Sequence, residues 1–368
     1  MRRLFIPAAL ALSLPIVPAS LDGESIIDEW TSVFHTINLT HFADWPGVGG
    51  RMPIDISSAA DKIWLIWPHA IISLNSRGMP DSESLLSLFS SQSTGWTPEN
   101  GVLSSKGDWV AYSDKRFYRL DLLTARIRNF DWKRSPAGLI FAAPEGNLVA
   151  LIGEKTYYVD FSSNENTSAS LLDFNFPSAL TVSTTITEFA WLDTRGIHLV
   201  SIENGKEVII PLTAGALPAG NPWGIVRFDG KLVLAYPRAL YAVELPTEES
   251  PRISKLEAEW LPRRWYRLRG SETALLIHTP ETEELRIYRA EKETGAALLP
   301  GYKDFLAEHA VPAGRLLEEK KEIEAAVQYY NWALPQIRGF RSKYPLEGVW
   351  AELERELVER RLALLQVD

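Results

Sequence analysis

The chain contains no cysteine. Disulfides, thiolate metal sites, iron–sulfur clusters, thiol nucleophiles and an N-terminal lipid-bearing cysteine are therefore excluded by composition. Several short signatures are missing as well: a phosphate loop of the GxxxxGK[ST] kind, a GxSxG nucleophile elbow, HExxH, an EF-hand loop, a dinucleotide GxGxxG and a sialidase-type SxDxGxTW turn. Histidine is scarce. The six, at 35, 41, 69, 198, 278 and 309, include no pair at the i,i+2 or i,i+4 spacing of metal ligands, so neither a metal site nor a cofactor is expected. Basic charge is also in deficit, with 38 Lys and Arg against 47 Asp and Glu and a net charge of −9. Such a surface opposes nucleic acid and anionic lipid as general partners.

Long hydrophobic runs are confined to the beginning. Residues 1–19, MRRLFIPAALALSLPIVPA, combine Arg2 and Arg3, an apolar run from Leu4 to Val17 and small-residue cleavage chemistry at Val17-Pro18-Ala19. This is the layout of a secretory signal peptide, and the run, broken by Pro7 and Pro15, falls short of the ~20 residues that span a bilayer. Cleavage would remove Arg2 and Arg3 and take the net charge from −9 to −11. The expected location is periplasmic or secreted, and an exported chain without disulfides fits a bacterial envelope.

What the chain has in quantity is a repeated hairpin. Residues 230–245, GKLVLAYPRALYAVEL, read as two strands rich in Leu, Val, Ala and Tyr, broken by Tyr236-Pro237-Arg238. Comparable stretches begin at 62, 108, 147, 188 and 272, so that the six starts are separated by 46, 39, 41, 42 and 42 residues. A period of about 40–45 residues is that of the four-stranded blade of a β-propeller. Further strand-like pieces, 127–132, 138–142, 208–212, 223–228, 253–256 and 265–268, supply outer and innermost strands. Polar or Pro/Gly-rich stretches at 75–84, 161–170, 214–222 and 246–252 read as surface loops. Within the N-terminal segment 20–51, the alternation of Val33, His35, Ile37 and Leu39 suggests a strand that closes the ring, since an open ring leaves an unpaired edge.

The segments RFYRLDLLTARIRNFDW, RALYAVEL and GIHLVSIENGKEVIIPL resemble the repeats of quinoprotein-type and WD-type β-propellers across roughly 52–300. The resemblance implies a mainly β fold with six four-stranded blades, seven being the alternative count. A propeller lipoprotein of outer-membrane assembly is an analogue in that superfamily, but this chain lacks the cysteine for lipid attachment. After Pro300-Gly301 the apolar period changes to about 3.6, with stripes through Leu316, Leu317, Ile323, Val327 and Tyr330 and through Leu346, Trp350, Leu353, Leu357 and Leu364. Residues 301–368 are thus an α-helical segment, punctuated by Pro335 and Pro345, the latter suited to the first turn of a last helix. Gly314, Ala326, Tyr330 and Ala333 resemble the packing positions of one tetratricopeptide unit. Such a unit either docks on the propeller or binds a partner.

The most distinctive polar cluster is Arg263-Arg264-Trp265-Tyr266-Arg267-Leu268-Arg269. In a strand, Arg263, Trp265, Arg267 and Arg269 share one face, where guanidiniums hold an anionic ligand, a partner's carboxylates or neighbouring acids of the chain itself. His69 and His278 lie near hairpin turns of different repeats and are candidates for a shared site. Thirteen tryptophans suit blade packing, and exposed ones suit carbohydrate or protein contacts. The leading functional expectation is an exported, non-catalytic propeller that acts as an interaction scaffold for another envelope protein. The alternative is an enzyme with its site in the central channel, either a carbohydrate-active hydrolase using two carboxylates or a quinone-dependent oxidoreductase. Asp114, Asp193 and Asp229 are its candidate acids, with no spacing that pairs them.

Overall fold

Each expected hairpin forms within a small antiparallel sheet, and its arms, where described, are largely buried on both faces. The computed structural model describes residues 35–50, 52–59, 62–94, 101–103, 107–113, 116–131, 139–142, 148–152, 155–160, 168–172, 183–184, 188–201, 206–213, 215–244, 251–257, 261, 266–271, 274–281, 283–289 and 299–366. The leader expected at 1–19 lies outside them. The six repeated stretches pair as Lys62–Trp67 with Ala70–Leu74, Trp109–Ser113 with Arg116–Leu120 and Leu148–Ile152 with Lys155–Asp160. The other three are Glu188–Asp193 with Gly196–Ser201, Lys231–Tyr236 with Ala239–Glu244 and Ala274–Thr279 with Glu284–Arg289. Every sheet also has a strand before its hairpin, and four have one after it in sequence. The chain is therefore mainly β, built from small up-and-down sheets at 55–74, 101–131, 139–172, 183–210, 224–257 and 267–289, with helices added.

Three pairs of successive sheets meet through their first strands. Those of the 101–131 and 139–172 sheets touch, as do those of the 183–210 and 224–257 sheets and of the 224–257 and 267–289 sheets. The first strand of the 55–74 sheet touches that of the 267–289 sheet, although they lie at opposite ends of the repeated region. Side chains fill the seams: Val226 and Phe228 pack with Leu268, Leu275 and Ile277, while Trp64 and Ile71 pack with Leu103 and Trp109. One turn shows how a seam fixes local structure. Arg238 occupies the left-handed region (φ 60°), and the hydroxyl of Tyr266, from the next sheet, donates to the carbonyl of Tyr236 at 2.9 Å.

The strand expected near 33–41 forms at His35–Asn38 and pairs antiparallel with Glu284–Ile287, as the fourth strand of the last sheet. Ile37 and Leu39 are buried there. Asn38 then caps a short 3-10 turn by accepting from the Thr40 amide, and this turn brings Phe42 and Trp45 into the core.

The expectation of four strands per unit departs from the structure in the 55–74 sheet, which has three. The edge of Ala70–Leu74 is covered by helix α1 (Ser82–Ser93), in a region read from the sequence as a loop running into an unassigned stretch. Three serines one helical face apart supply the pairing that a fourth strand would have given. The hydroxyl of Ser91 accepts from the Ile71 amide at 3.0 Å and that of Ser87 from the Ser73 amide at 3.2 Å, while Ser84 donates to the Ser73 carbonyl. Buried backbone groups require such partners. A capping box between Asp81 and Ser84 starts the helix.

Helices α2 (Tyr302–Glu319), α3 (Ile323–Lys343) and α4 (Gly348–Leu365) pack on α1 and the N-terminal segment in one core with the 55–74 sheet. Trp45 stacks on Phe305 at 4.6 Å, Phe89 meets Tyr329 edge-on at 5.6 Å, and the Trp332 indole donates to Gln92 at 3.2 Å. Arg126 pairs with Glu322 at 2.7 Å, tying the bundle to a second sheet. Pro335 lies inside α3 instead of ending it, because buried Ala333, Leu334 and Ile337 hold the helix on both sides. Pro345 sits in the turn before α4 and not in its first turn. A Cβ on Gly314 would stand 2.2 Å from the Tyr330 ring, so that position admits only glycine at this helix separation.

The serine ladder is tested by Ser87→Ala and Ser91→Ala. Each strands a buried amide, and each is expected to lower unfolding free energy by about 1–3 kcal/mol. Amide exchange should quicken at Ser73 for the first and at Ile71 for the second. Ser93→Ala, on the same helix with only a 3.5 Å contact to its own Ser90 carbonyl, should leave both unchanged.

Candidate functional site

Of the residues singled out in the sequence, Arg267, Arg269 and His278 come together. Arg263 and Trp265 lie outside the described residues, and the strand begins at Arg267. Alternation along Arg267–Gly270 sends Leu268 into the seam with the 224–257 sheet. Arg267 and Arg269 reach the opposite way, toward the 55–74 sheet. Arg267 donates to the Pro53 carbonyl at 3.0 Å, and Arg269 approaches both oxygens of Asp55, at 3.1 and 3.4 Å. Ser58 and Ser271 join the same two sheets through their hydroxyls at 2.9 Å. The expected arginine face is thus real for two residues. Among the described residues, the chain's own Asp55 supplies a counter-charge to Arg269.

His278 stands directly across from Arg267 in the antiparallel register. It is fully buried, and neither ring nitrogen has a hydrogen-bond partner. Burial first, and the Arg267 charge second, push its pKa down to about 4, so the ring is neutral at pH 7. A neutral imidazole carries one donor and one acceptor, and both are unused. His69 belongs to the neighbouring hairpin turn, where its side chain is exposed while its carbonyl lies against Gly47. Gly47 has φ +81°, and a Cβ there would meet that carbonyl at 2.3 Å. His69 acts here through its backbone, and no interaction joins it to His278.

A second polar constellation is absent from the sequence reading, which singles out His198 and Asp193 separately and not Glu207. His198 is fully buried in the third strand of its sheet and stacks on Trp191, its cross-strand neighbour, at 4.9 Å and 10°. Its Nδ1 lies 2.6 Å from Glu207 Oε1 and its Nε2 lies 2.7 Å from Asp193 Oδ1. Partial burial works to raise the Asp193 pKa, but hydrogen bonds from His198 and from the amide and side chain of Arg195 outweigh it and hold the carboxyl at about 2. The signal was a two-residue turn between Asp193 and Gly196, with Glu207 on the next strand. Only the register shows that one imidazole is clamped between both acids. Asp229 lies in a tight turn in the left-handed region (φ 48°), and Asp114 falls outside the described residues.

No protein family matches the sequence, and no curated protein does. Among solved structures the chain is similar to a streptogramin B lyase, with 16% identity and a TM-score of 0.41 over 72% of this chain and 89% of that one. It is similar also to regucalcin, a calcium-binding protein of Agrobacterium tumefaciens, with 12% identity and a TM-score of 0.40 over 67% and 94% of the two chains. For Hsv2 of Kluyveromyces lactis the values are 11%, 0.36, 62% and 90%. These are β-propeller-type proteins. Likenesses this distant carry no residue roles across, so the chemistry of the site rests on the geometry above. Among the described residues no group of three or more His, Asp or Glu is arranged to hold a metal ion, and no helix is long and apolar enough to cross a membrane.

The buried imidazole gives a pH prediction. The pKa of His278 is about 4 when folded, below the ~6.5 of an unfolded histidine. Between those values the unfolded chain takes up a proton that the folded chain does not, so stability present above pH ~6.5 is lost as pH falls toward ~4, by up to about 3 kcal/mol. Urea titrations from pH 7 to 4 on wild type and His278→Leu should show a shallower pH dependence in the variant. Equal slopes would show that His278 is not held neutral.

Proposed function

We propose that the protein is a closed six-bladed propeller, exported by way of the 1–19 leader, that serves in the cell envelope as a non-catalytic scaffold for another protein. Pairing of His35–Asn38 with the last sheet, and contact between the first and last sheets of the repeated region, support closure. The bundle α2–α4 forms part of the binding surface in a tetratricopeptide-like manner, α2 and α3 making the helix pair and α4 packing as the first helix of a second unit. Ion pairs Arg315–Glu356 and Arg360–Glu318 set α4 parallel to α2, while Arg338 and Arg341 clamp Glu354 from antiparallel α3.

The observation that carries this reading is an uncovered flank. Trp350, Leu353 and Leu357 of α4 are buried against the bundle with Val358 packed beside them, whereas Leu362 and Leu365 are 49% and 50% exposed. Ile323, at the start of α3, adds 40% exposure at the same end. In helical arrays the next helix covers such a flank, and exposed apolar patches mark protein contacts. The occupant proposed here is an apolar helix face of an envelope protein.

A photo-crosslinker placed at Leu362 of the full chain in its native cells should yield a discrete adduct, while one at exposed Thr194, in a hairpin turn of the 183–210 sheet, should not. Leu365→Asp should abolish the adduct without lowering the melting temperature. Fractionation of the same cells should find the protein outside the cytoplasm with Ser20 as its first residue. Identical adduct patterns at both sites, or an adduct indifferent to Leu365→Asp, would overturn the reading.

A further inference from the structure

The polar seam between the 55–74 and 267–289 sheets is layered by depth. Arg269 and Asp55 form the outer layer, with side chains 44% and 38% exposed. Arg267 is half-buried beneath them, and fully buried His278 is its cross-strand neighbour. A buried polar group normally has a protein or water partner, and an imidazole that leaves both nitrogens unused beside a guanidinium marks a place built for something else. Both guanidiniums lie on the face of the strand that carries His278 across the register. Arg269 already holds one carboxylate, that of Asp55, through two close oxygens, and the fork of a guanidinium suits that planar group. An ion pair this exposed is worth little, so an incoming carboxylate can displace it.

We propose that Arg267, Arg269 and His278 form a binding subsite for a carboxylate group, with Asp55 as the internal competitor that occupies Arg269 when no ligand is present. Arg269 captures the anion at the surface, Arg267 holds it at the seam, and a ring N–H of His278 donates to it from below. The carboxylate belongs either to a small organic acid or to a peptide side chain or terminus. This inference is separate from the contact proposed for α4, since the two involve different faces and different residues.

The test uses the full chain with histidine ring nitrogens observed by NMR. Succinate, and in a second arm a capped peptide containing one glutamate, are titrated in at constant ionic strength, with chloride and inorganic phosphate as controls. A saturable shift of the His278 resonances is expected, together with a rise in its apparent pKa as a bound anion stabilises the protonated ring. Asp55→Asn should strengthen binding at least several-fold by removing the competitor. Arg269→Gln should weaken it by a similar factor while leaving the His278 resonances of the free protein in place, which shows that the fold persists. Response to the peptide alone assigns the carboxylate to a polypeptide, and response to both admits a small acid; either outcome supports the subsite. No saturable shift with either probe, an equal response to phosphate and chloride, or an Asp55→Asn variant that binds no better would overturn it.

Discussion

The unpaired edge of the strand Ala70–Leu74 is the constraint on which the remaining architecture turns. Its amides and carbonyls face a buried environment, where each needs a partner, and among the described residues a helix rather than a fourth strand follows it. Ser84, Ser87 and Ser91 answer that need because residues at spacings of three and four share one helix face, and because a hydroxyl both donates and accepts. Once α1 is held there by hydrogen bonds, its other face, with Leu85, Phe89 and Gln92, becomes the floor on which α2 and α3 settle. A sheet protein is thereby joined to a helical bundle through one continuous core.

Two kinds of seam result. Between the 224–257 and 267–289 sheets the junction is apolar, sealed by Val226, Phe228, Leu268, Leu275 and Ile277. Where the first and last sheets of the repeated region meet, the same strand Arg267–Gly270 turns its other face outward with charge, and the junction relies on the Pro53 carbonyl, Asp55 and a serine pair. Period-two alternation puts both kinds on one strand. The apolar face is closed by the hydrophobic effect, which needs no exact partner, whereas on the polar face both ring nitrogens of His278 are left without a hydrogen-bond partner.

The hairpins were legible because their signal is local: two short β-rich arms and a turn, recurring at a nearly fixed interval. The strand at His35–Asn38 was legible from its alternation and from the need to cover an edge. Helix α1 was not, since its serines read as a polar linker until the edge they satisfy is in view. Pro335 misled for a related reason, because the packing of Ala333 and Ile337 that carries the helix past it is tertiary. At the candidate site, Arg267 and Arg269 were recognisable as one face. Their bonding to Pro53 and Asp55, more than two hundred residues away, had no sequence signal. The clamp of His198 by Asp193 and Glu207 depended on strand register in the same way.

The sequence by itself determined the repeated β units, the helical character of the last 68 residues and the absence of any cysteine chemistry. Periodicity and composition are properties of neighbouring residues and need no knowledge of where the chain returns. Only the tertiary structure decided which edge is covered by a helix, which histidine is left without partners and which acid faces the arginines. Those outcomes depend on groups distant in the chain being brought within hydrogen-bonding range, a distance that the order of residues does not encode locally.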